Sequence, residues 1–274
     1  MSRKLFCQLC PLTYKISTWK GRALRHVRDA LSGQHFVNLR QDDILPVSIY
    51  KHNSLIRRRL GNVNMELQEN KAANLALAAP LLTNVVIRPG ETFSFWRLVG
   101  NATARRGFRE GLTISDGQTK SGIGGGMCQM TNLIHWMVLH TPLTIVEHHH
   151  HDGMDLFPDY NRQIPFGTGT SICYNYLDYR FRNDTDATYQ LLVWVDDEYL
   201  RGELRSDHSQ ALKYHIKSEG EGFHREDGQV YRVGSVWREA IDPRTGELVE
   251  RTLLRKNHAR VMYDTTGLEI RTKA

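Results

Sequence analysis

The sequence predicts an α+β fold: a helix led by three glycines packs on a mixed, mostly antiparallel sheet, and a C-terminal run of antiparallel strands follows. Three observations carry this. Apolar residues recur at helical spacing in only three stretches, near 15–35, 64–79 and 128–140. The second half alternates β-branched and aromatic residues with polar ones, punctuated by turn residues. The composition, 40% hydrophobic and 24% charged, is that of a globular protein, and no apolar run approaches the ~20 residues of a membrane helix. A chain of 274 residues buries roughly three-quarters of its unfolded surface.

In chain order, "KISTWKGRALRHVRDALSGQH" places Trp19, Ala23, Val27 and Leu31 on one helical face, with Gly33 as a stop. Residues 36–63 read as loop with a short helix near "NSLIRRRL". "NMELQENKAANLALAA" is dominated by helix formers, with Leu67, Lys71, Asn74 and Ala78 near one face. Asn74 there needs a partner, and an amide capping a nearby loop supplies one. In "TNVVIRPGETFSFW", Val85 to Ile87 form a strand, "RPGE" a turn, and Thr92 to Trp96 the returning strand. "LTISDGQTK" gives a strand and a "DG" turn. Met127, Met130, Leu133, Ile134, Met137 and Val138 mark a helix that Pro142 ends, and "LTIVE" is a strand. "HHHHDGMDLFPDYNRQIPFGTGTS" is a long loop, of the kind that is functional when ordered. "TYQLLVWVDDEYLRGELRS" forms a hairpin. Beyond residue 207, "KYHIKSE", "GQVYRVGSVWREAID", "ELVERTLLR" and "ARVMYD" alternate like half-buried antiparallel strands, with "DPRTGE" as a turn.

Charge is uneven. The net charge is +6, yet residues 1–60 hold 12 Lys/Arg against 3 Asp/Glu, +9, which leaves −3 for the rest. Such a front end suits nucleic acid, an anionic membrane surface or an acidic partner. "LIRRRL" is its dense run and has no nucleic-acid-binding fingerprint beside it, so a solvated face is expected and no specific nucleic-acid partner. The N-terminus lacks the apolar segment of a signal peptide, and a cytoplasmic protein with reduced cysteines is expected. Cys7 and Cys10 form a lone C-x-x-C, half of a metal or redox motif. Cys173, in "TSICYNY", reads as core or sheet face.

The chemistry concentrates around "GIGGGMCQMTNLIHW". Gly124, Gly125 and Gly126 let backbone approach a ligand closely. Free N–H groups at a helix start attract anions and lower the pKa of a cysteine placed there. Cys128 is thus a candidate nucleophile, with backbone N–H groups near Gly126 as an oxyanion hole and Gln129 as a further donor. Downstream lie Glu147, four histidines and Asp155. His151 would serve as base and Glu147 or Asp155 as its orienter. In an extended segment His149 and His151 share one face, and His148 and His150 the other. A zinc ion on Cys128, His149 and His151 is an alternative, not the favoured one; the sequence names no cofactor. A third alternative makes Cys128 a buried packing residue and the glycines a device for close packing. There is no phosphate loop, dinucleotide fingerprint or nucleophile elbow.

"PGETFSFW", "GIGGGMCQMTNLIHW", "VEHHHHDGMDLFPD" and "IPFGTGTSICYNYLDYRFRN" together resemble the VanW family, the vancomycin B-type resistance protein W group. The likeness covers most of the chain, with "NMELQENKAANLALAA" as its leading helix. It is to the shorter, soluble branch. The family's E-R-x-x-H segment is matched by Glu147 and His151, while His148 stands where arginine is usual. The resemblance implies a link to glycopeptide resistance and the cell envelope. On this reading residues 1–62 form a basic, partly helical segment, 63–206 a VanW-like core domain and 207–274 a C-terminal β extension. The favoured activity is a Cys-His-dependent acyl transfer or hydrolysis on a peptide or cell-wall precursor, with Gly124, Gly125, Gly126 and His149 contacting the ligand. The alternative is a non-catalytic ligand- or metal-binding accessory protein.

Overall fold

A computed structural model describes residues 5–58, 64–115, 118–150, 153–159, 164–174 and 176–272. Helix α1 (Pro11–Leu31) begins at a proline, whose fixed φ suits a first helical position. It starts four residues earlier than the quoted stretch and ends at Leu31, just before the predicted stop at Gly33. The Cys10 N–H donates to Thr13 Oγ1 at 3.0 Å, and Ser32 Oγ closes the far end on Asp29 O. None of its residues is fully buried.

Strands β1 (His35–Phe36) and β2 (Val47–Leu55) follow. β2 corrects the expected loop and short helix. Lys51, His52 and Asn53 dilute its apolar content, so its own pattern is weak. It is a strand because a later strand, Tyr199–Ser206, supplies a full antiparallel ladder. Helix α2 (Met65–Ala78) is capped by Asn64, whose side chain accepts the Glu66 N–H at 2.9 Å.

"RPGE" is a turn, but it does not return the chain along the same sheet. β3 (Val85–Ile87) and β4 (Glu91–Ser94) are buried throughout and take partners in different sheets. The predicted strand end at Phe95 and Trp96 belongs instead to the short helix α3 (Phe95–Val99). β5 (Glu110–Ser115) and β6 (Gln118–Ile123) pair as a hairpin; its expected "DG" turn lies outside the described residues. Then come α4 (Cys128–Val138), β7 (Thr144–Glu147), β8 (Met154–Asp155), β9 (Arg180–Arg182), β10 (Tyr189–Val195), β11 (Tyr199–Ser206), β12 (Lys213–Glu226), β13 (Gln229–Ile241), β14 (Leu248–Val261) and β15 (Ile270–Thr272).

The described strands form three sheets besides the hairpin, ordered β2-β11-β10-β3, β1-β4-β9-β7 and β15-β12-β13-β14-β8. The first is wholly antiparallel; β1–β4, β12–β15 and β14–β8 are the parallel pairs. The fold is therefore α+β. Helix α4 lies on β2 and β11, and Met130, Leu133, Ile134 and Met137 are almost wholly inaccessible. The contact is tight: a Cβ on Gly202 of β11 would sit 2.6 Å from Met137 Cε and 2.8 Å from Leu133 Cδ2. β14 joins the C-terminal sheet to the core loop by pairing with β8, and Asn257 of β14 donates to Phe166 O at 2.8 Å. Gly167 beside it has φ +90, and a Cβ there would lie 2.0 Å from Asn257 Oδ1.

Candidate functional site

The glycine run enters α4 with Gly124 at φ +76 and Gly126 at φ +85. Its three N–H groups are already committed. Gly124 donates to Arg109 O at 2.9 Å, Gly125 to Gly122 O at 3.0 Å and Gly126 to Leu112 O at 2.8 Å. The need for glycine is steric. A Cβ on Gly125 would lie 2.1 Å from the Gly111 carbonyl of β5, one on Gly126 2.2 Å from Lys71 Cγ, and one on Gly124 2.6 Å from Ala102 Cβ. Asn74 of α2 pins the run from the other side. Its Nδ2 donates to Gly125 O and Arg109 O, each at 3.0 Å, and its Oδ1 accepts the Arg109 N–H at 2.7 Å. Asn74 is the loop-capping amide that its place on α2 calls for.

Cys128 heads α4 and is partly buried. Desolvation pushes its thiol pKa up, and the Ile172 N–H opposes this only in part. Gln129 faces away from the run: its Nε2 donates to Ser54 Oγ at 2.8 Å and Leu55 O at 2.9 Å, tying α4 to β2. Thr170 bridges the helix start to the long loop through Asn132 Oδ1, at 2.7 Å from its N–H and 2.8 Å from its hydroxyl.

Glu147, at the end of β7, lies elsewhere, in a buried charge network. Its Oε2 meets Arg25 of α1, and its Oε1 accepts the Asp178 N–H and His149 Nε2–H, both at 3.0 Å. Burial pushes the Glu147 carboxyl up, but Arg25, His149 and Asp178 outweigh it and hold the pKa below its ordinary value. Arg180 joins both sides. It forms a fork to Asp29 of α1, 2.8 Å on each arm, and donates to Asp178 Oδ2 at 2.7 Å. Asp178 also receives Ser94 Oγ at 2.6 Å and the N–H groups of Trp96 and Tyr179.

Asp155 belongs to a third place, where it accepts Tyr263 Oη at 2.9 Å and faces Arg232 of β13 at 3.6 Å. Among the described residues, no hydrogen bond or ion pair joins Cys128 to Glu147, His149 or Asp155. His151, the expected base, lies outside the described residues, as does its part in the zinc alternative. Among the described residues no group of three His, Cys, Asp or Glu side chains is placed to hold a metal ion. Cys10 is exposed at the head of α1, with a thiol pKa lowered by hydrogen bonds from Thr13 and Leu12. Cys173 is exposed in a bridge to Leu177 and not in the core.

Sequence reasoning passed over two features. The first is a histidine stack beneath α4. His148 and His150 turn to one side while His149 turns to Glu147, the alternation of an extended segment. The His148 ring lies 4.1 Å from that of His135 and 4.0 Å from that of His150, and its Nε2–H donates to Gly169 O at 3.1 Å. His135 Nδ1 is 3.1 Å from Tyr179 Oη, and burial holds the His135 pKa well below its ordinary value. These rings line a cavity of about 140 Å³ with Thr168, Leu254 and Arg255, between α4 and the C-terminal sheet. Cys128 does not line it. His135 is two helical turns from Cys128, about 10 Å along the axis. The signal was there in a histidine placed on the apolar face of "TNLIHWMV". The second feature is Lys71, buried on α2 with its amine on Gln68 Oε1 at 2.7 Å; desolvation lowers its pKa to about 7.

Residues 70–205, from α2 to β11, match the family described as VanW like protein. Over 263 residues the chain is 34% identical to the vancomycin B-type resistance protein VanW of Enterococcus faecalis, covering 96% of this chain and 95% of that one. It is also 30% identical over 118 residues to the uncharacterized protein YoaR of Bacillus subtilis, covering 42% of this chain and 36% of that one. No solved structure matches it.

Proposed function

The chain belongs to the VanW family, and from that premise we propose that it is a ligand-binding accessory protein of glycopeptide resistance, taking the carboxylate end of a cell-envelope peptide. The observation that carries this reading is the cavity of about 140 Å³ lined by His135, His148, His150 and Arg255. Its volume suits a terminal residue rather than a whole peptide, since pockets for drug-sized ligands run to ~300 Å³ and more. Arg255 supplies fixed positive charge, and the rings of His135 and His150 lie beside it, while the Nε2–H of His148 is given to Gly169 O and fixes that ring in the wall. His148, where the family usually has arginine, is one wall of this cavity.

The competing reading, Cys-His-dependent acyl transfer or hydrolysis, is favoured by the place of Cys128 at the head of α4 with the Ile172 N–H beside its sulfur. It needs a thiolate and free oxyanion donors. Burial disfavours the first, and carbonyls occupy the glycine N–H groups. Two measurements separate the readings. Calorimetry with an N-acetyl dipeptide and its C-terminal amide is expected to show binding of the acid and at least tenfold weaker binding of the amide, with Arg255→Gln abolishing the difference, as loss of a charge-assisted bond implies. Equal binding of acid and amide would overturn the carboxylate assignment. Alkylation of Cys128, in a background with Cys7, Cys10 and Cys173 as serine, should be slow at neutral pH and should accelerate only above ~8.5. Fast alkylation at pH 7, with peptide turnover lost in Cys128→Ser, would establish the enzyme instead.

A further inference from the structure

Helix α1 is turned inside out. Its charged side faces the protein: Arg25 meets Glu147, Asp29 takes the fork of Arg180, and Arg22 lies 4.9 Å over the Tyr174 ring. Gly21 packs on the same side, against Tyr176. At 100° per residue these positions fall within one arc. Leu12, Ile16, Trp19, Ala23 and Val27 fall on the opposite arc. There Leu12 is 65% exposed, Trp19 72% and Val27 54%. Leu5 and Leu9, also exposed, precede them at the same spacing. Lys15 borders the stripe on one side and Lys20 on the other, and Arg28 lies further round. None of the three has an ion-pair partner among the described residues.

We propose that α1 lies on the surface of an anionic lipid bilayer, with its apolar stripe among the acyl chains and its lysines at the headgroups. An apolar face bordered by lysines, on a helix of low mean hydropathy, is the pattern of an interfacial helix. No described helix is long and apolar enough to cross a membrane, so α1 lies on the bilayer and does not span it. The stripe also has the 3-4 spacing of a helix dimer, but charge opposes a second copy as its cover. Pairing along Leu12, Ile16, Trp19 and Ala23 places Lys15 and Lys20 at the flanks, where like charges meet in a parallel or an antiparallel pair. The same lysines complement phosphate headgroups. This assignment stands apart from the ligand reading of the cavity, since it rests on α1 alone.

The test is flotation of the full chain with vesicles of phosphatidylcholine, alone or with one-third phosphatidylglycerol. Each basic side chain near an anionic surface is worth about fivefold, so Lys15 and Lys20, the two that border the stripe, predict about a twenty-five-fold preference for the anionic vesicles, falling at high salt. Trp19 emission should shift to the blue on binding; Trp19→Phe should bind as well without that shift. Ile16→Ser with Trp19→Ser should abolish binding without changing the circular dichroism, because both side chains are exposed. Lys15→Glu with Lys20→Glu should erase the preference for the anionic lipid. Equal binding to both vesicles, binding to neither, or a solution dimer that the double serine variant dissociates would each overturn the proposal, the last by assigning the stripe to a second copy.

Discussion

Helices α1 and α4 carry the same kind of apolar spacing and use it in opposite ways. α4 presses Met130, Leu133, Ile134 and Met137 onto β2 and β11 and tolerates nothing larger than Gly202 opposite them. α1 turns its apolar stripe outward and holds to the body by Arg25, Asp29 and Arg180. Periodicity thus identifies a face but not the medium it meets. Which face is buried depends on what the neighbouring elements offer: β11 offers an apolar surface to α4, whereas β7 and β9 offer Glu147 and Arg180 to α1.

The largest expected effect is at the charge network. Arg180→Met should cost about 3–5 kcal/mol in urea unfolding, because it leaves Asp178 and Asp29 without their buried partner, and it should free α1 to exchange its amide hydrogens. Core and surface stripes differ next. Leu133→Ala should cost about 3 kcal/mol, whereas Leu12→Ala should stay within about 0.5 kcal/mol; a large loss at Leu12 would mean that the stripe is covered within the monomer. Lys71 on α2 is a third case, a polar residue that is buried. Its pKa is depressed by burial, so the folded state sheds a proton that the unfolded chain keeps. Lys71→Met should therefore raise Tm, most below pH 7, with the advantage shrinking as pH rises toward ~10.4, the unfolded lysine pKa. The smallest effect is acid release of α1. Burial raises the Asp29 carboxyl, but Arg180, Arg25 and Arg97 outweigh it and lower the pKa, and Glu147 is lowered likewise. The docking contribution is then complete above the unfolded carboxylate pKa of ~4 and lost as pH falls below it. Hydrogen exchange in α1 should be unchanged at pH 5; loss of protection there would contradict the network as drawn.

Much of the architecture was legible. α4, the hairpin β10–β11 and the C-terminal meander follow from strong local patterns ended by proline or turn residues. β2 was missed because its nine residues carry too many polar side chains to signal a strand alone. The β3–β4 turn was read rightly and its consequence wrongly, since a turn fixes a local reversal and not the partner of the next strand. The glycine run was read in two ways, as donors for a ligand or as a device for close packing, and its contacts fit the second. Its N–H groups are spent on Arg109, Gly122 and Leu112 carbonyls, and its small size serves contact with Gly111 and Lys71. The histidine cluster was noticed by composition; His135 stood out only as a polar residue on the apolar face of α4, and its meeting with His148 depends on how β7 and the segment after it pack beneath that helix.

The sequence by itself determined the class of fold, the family, the Cys128 helix and the one-sided apolar spacing of a helix within residues 15–35, because helical and strand periods, caps and breakers act over a few residues. Only the tertiary structure decided that Glu147, Gln129, Asp155 and Cys128 answer to four different neighbours, that His135, His148 and His150 meet at one cavity, and that α1 faces outward. Those outcomes are set by contacts between residues tens to more than a hundred positions apart, where burial and charge pairing depend on what the rest of the chain brings alongside.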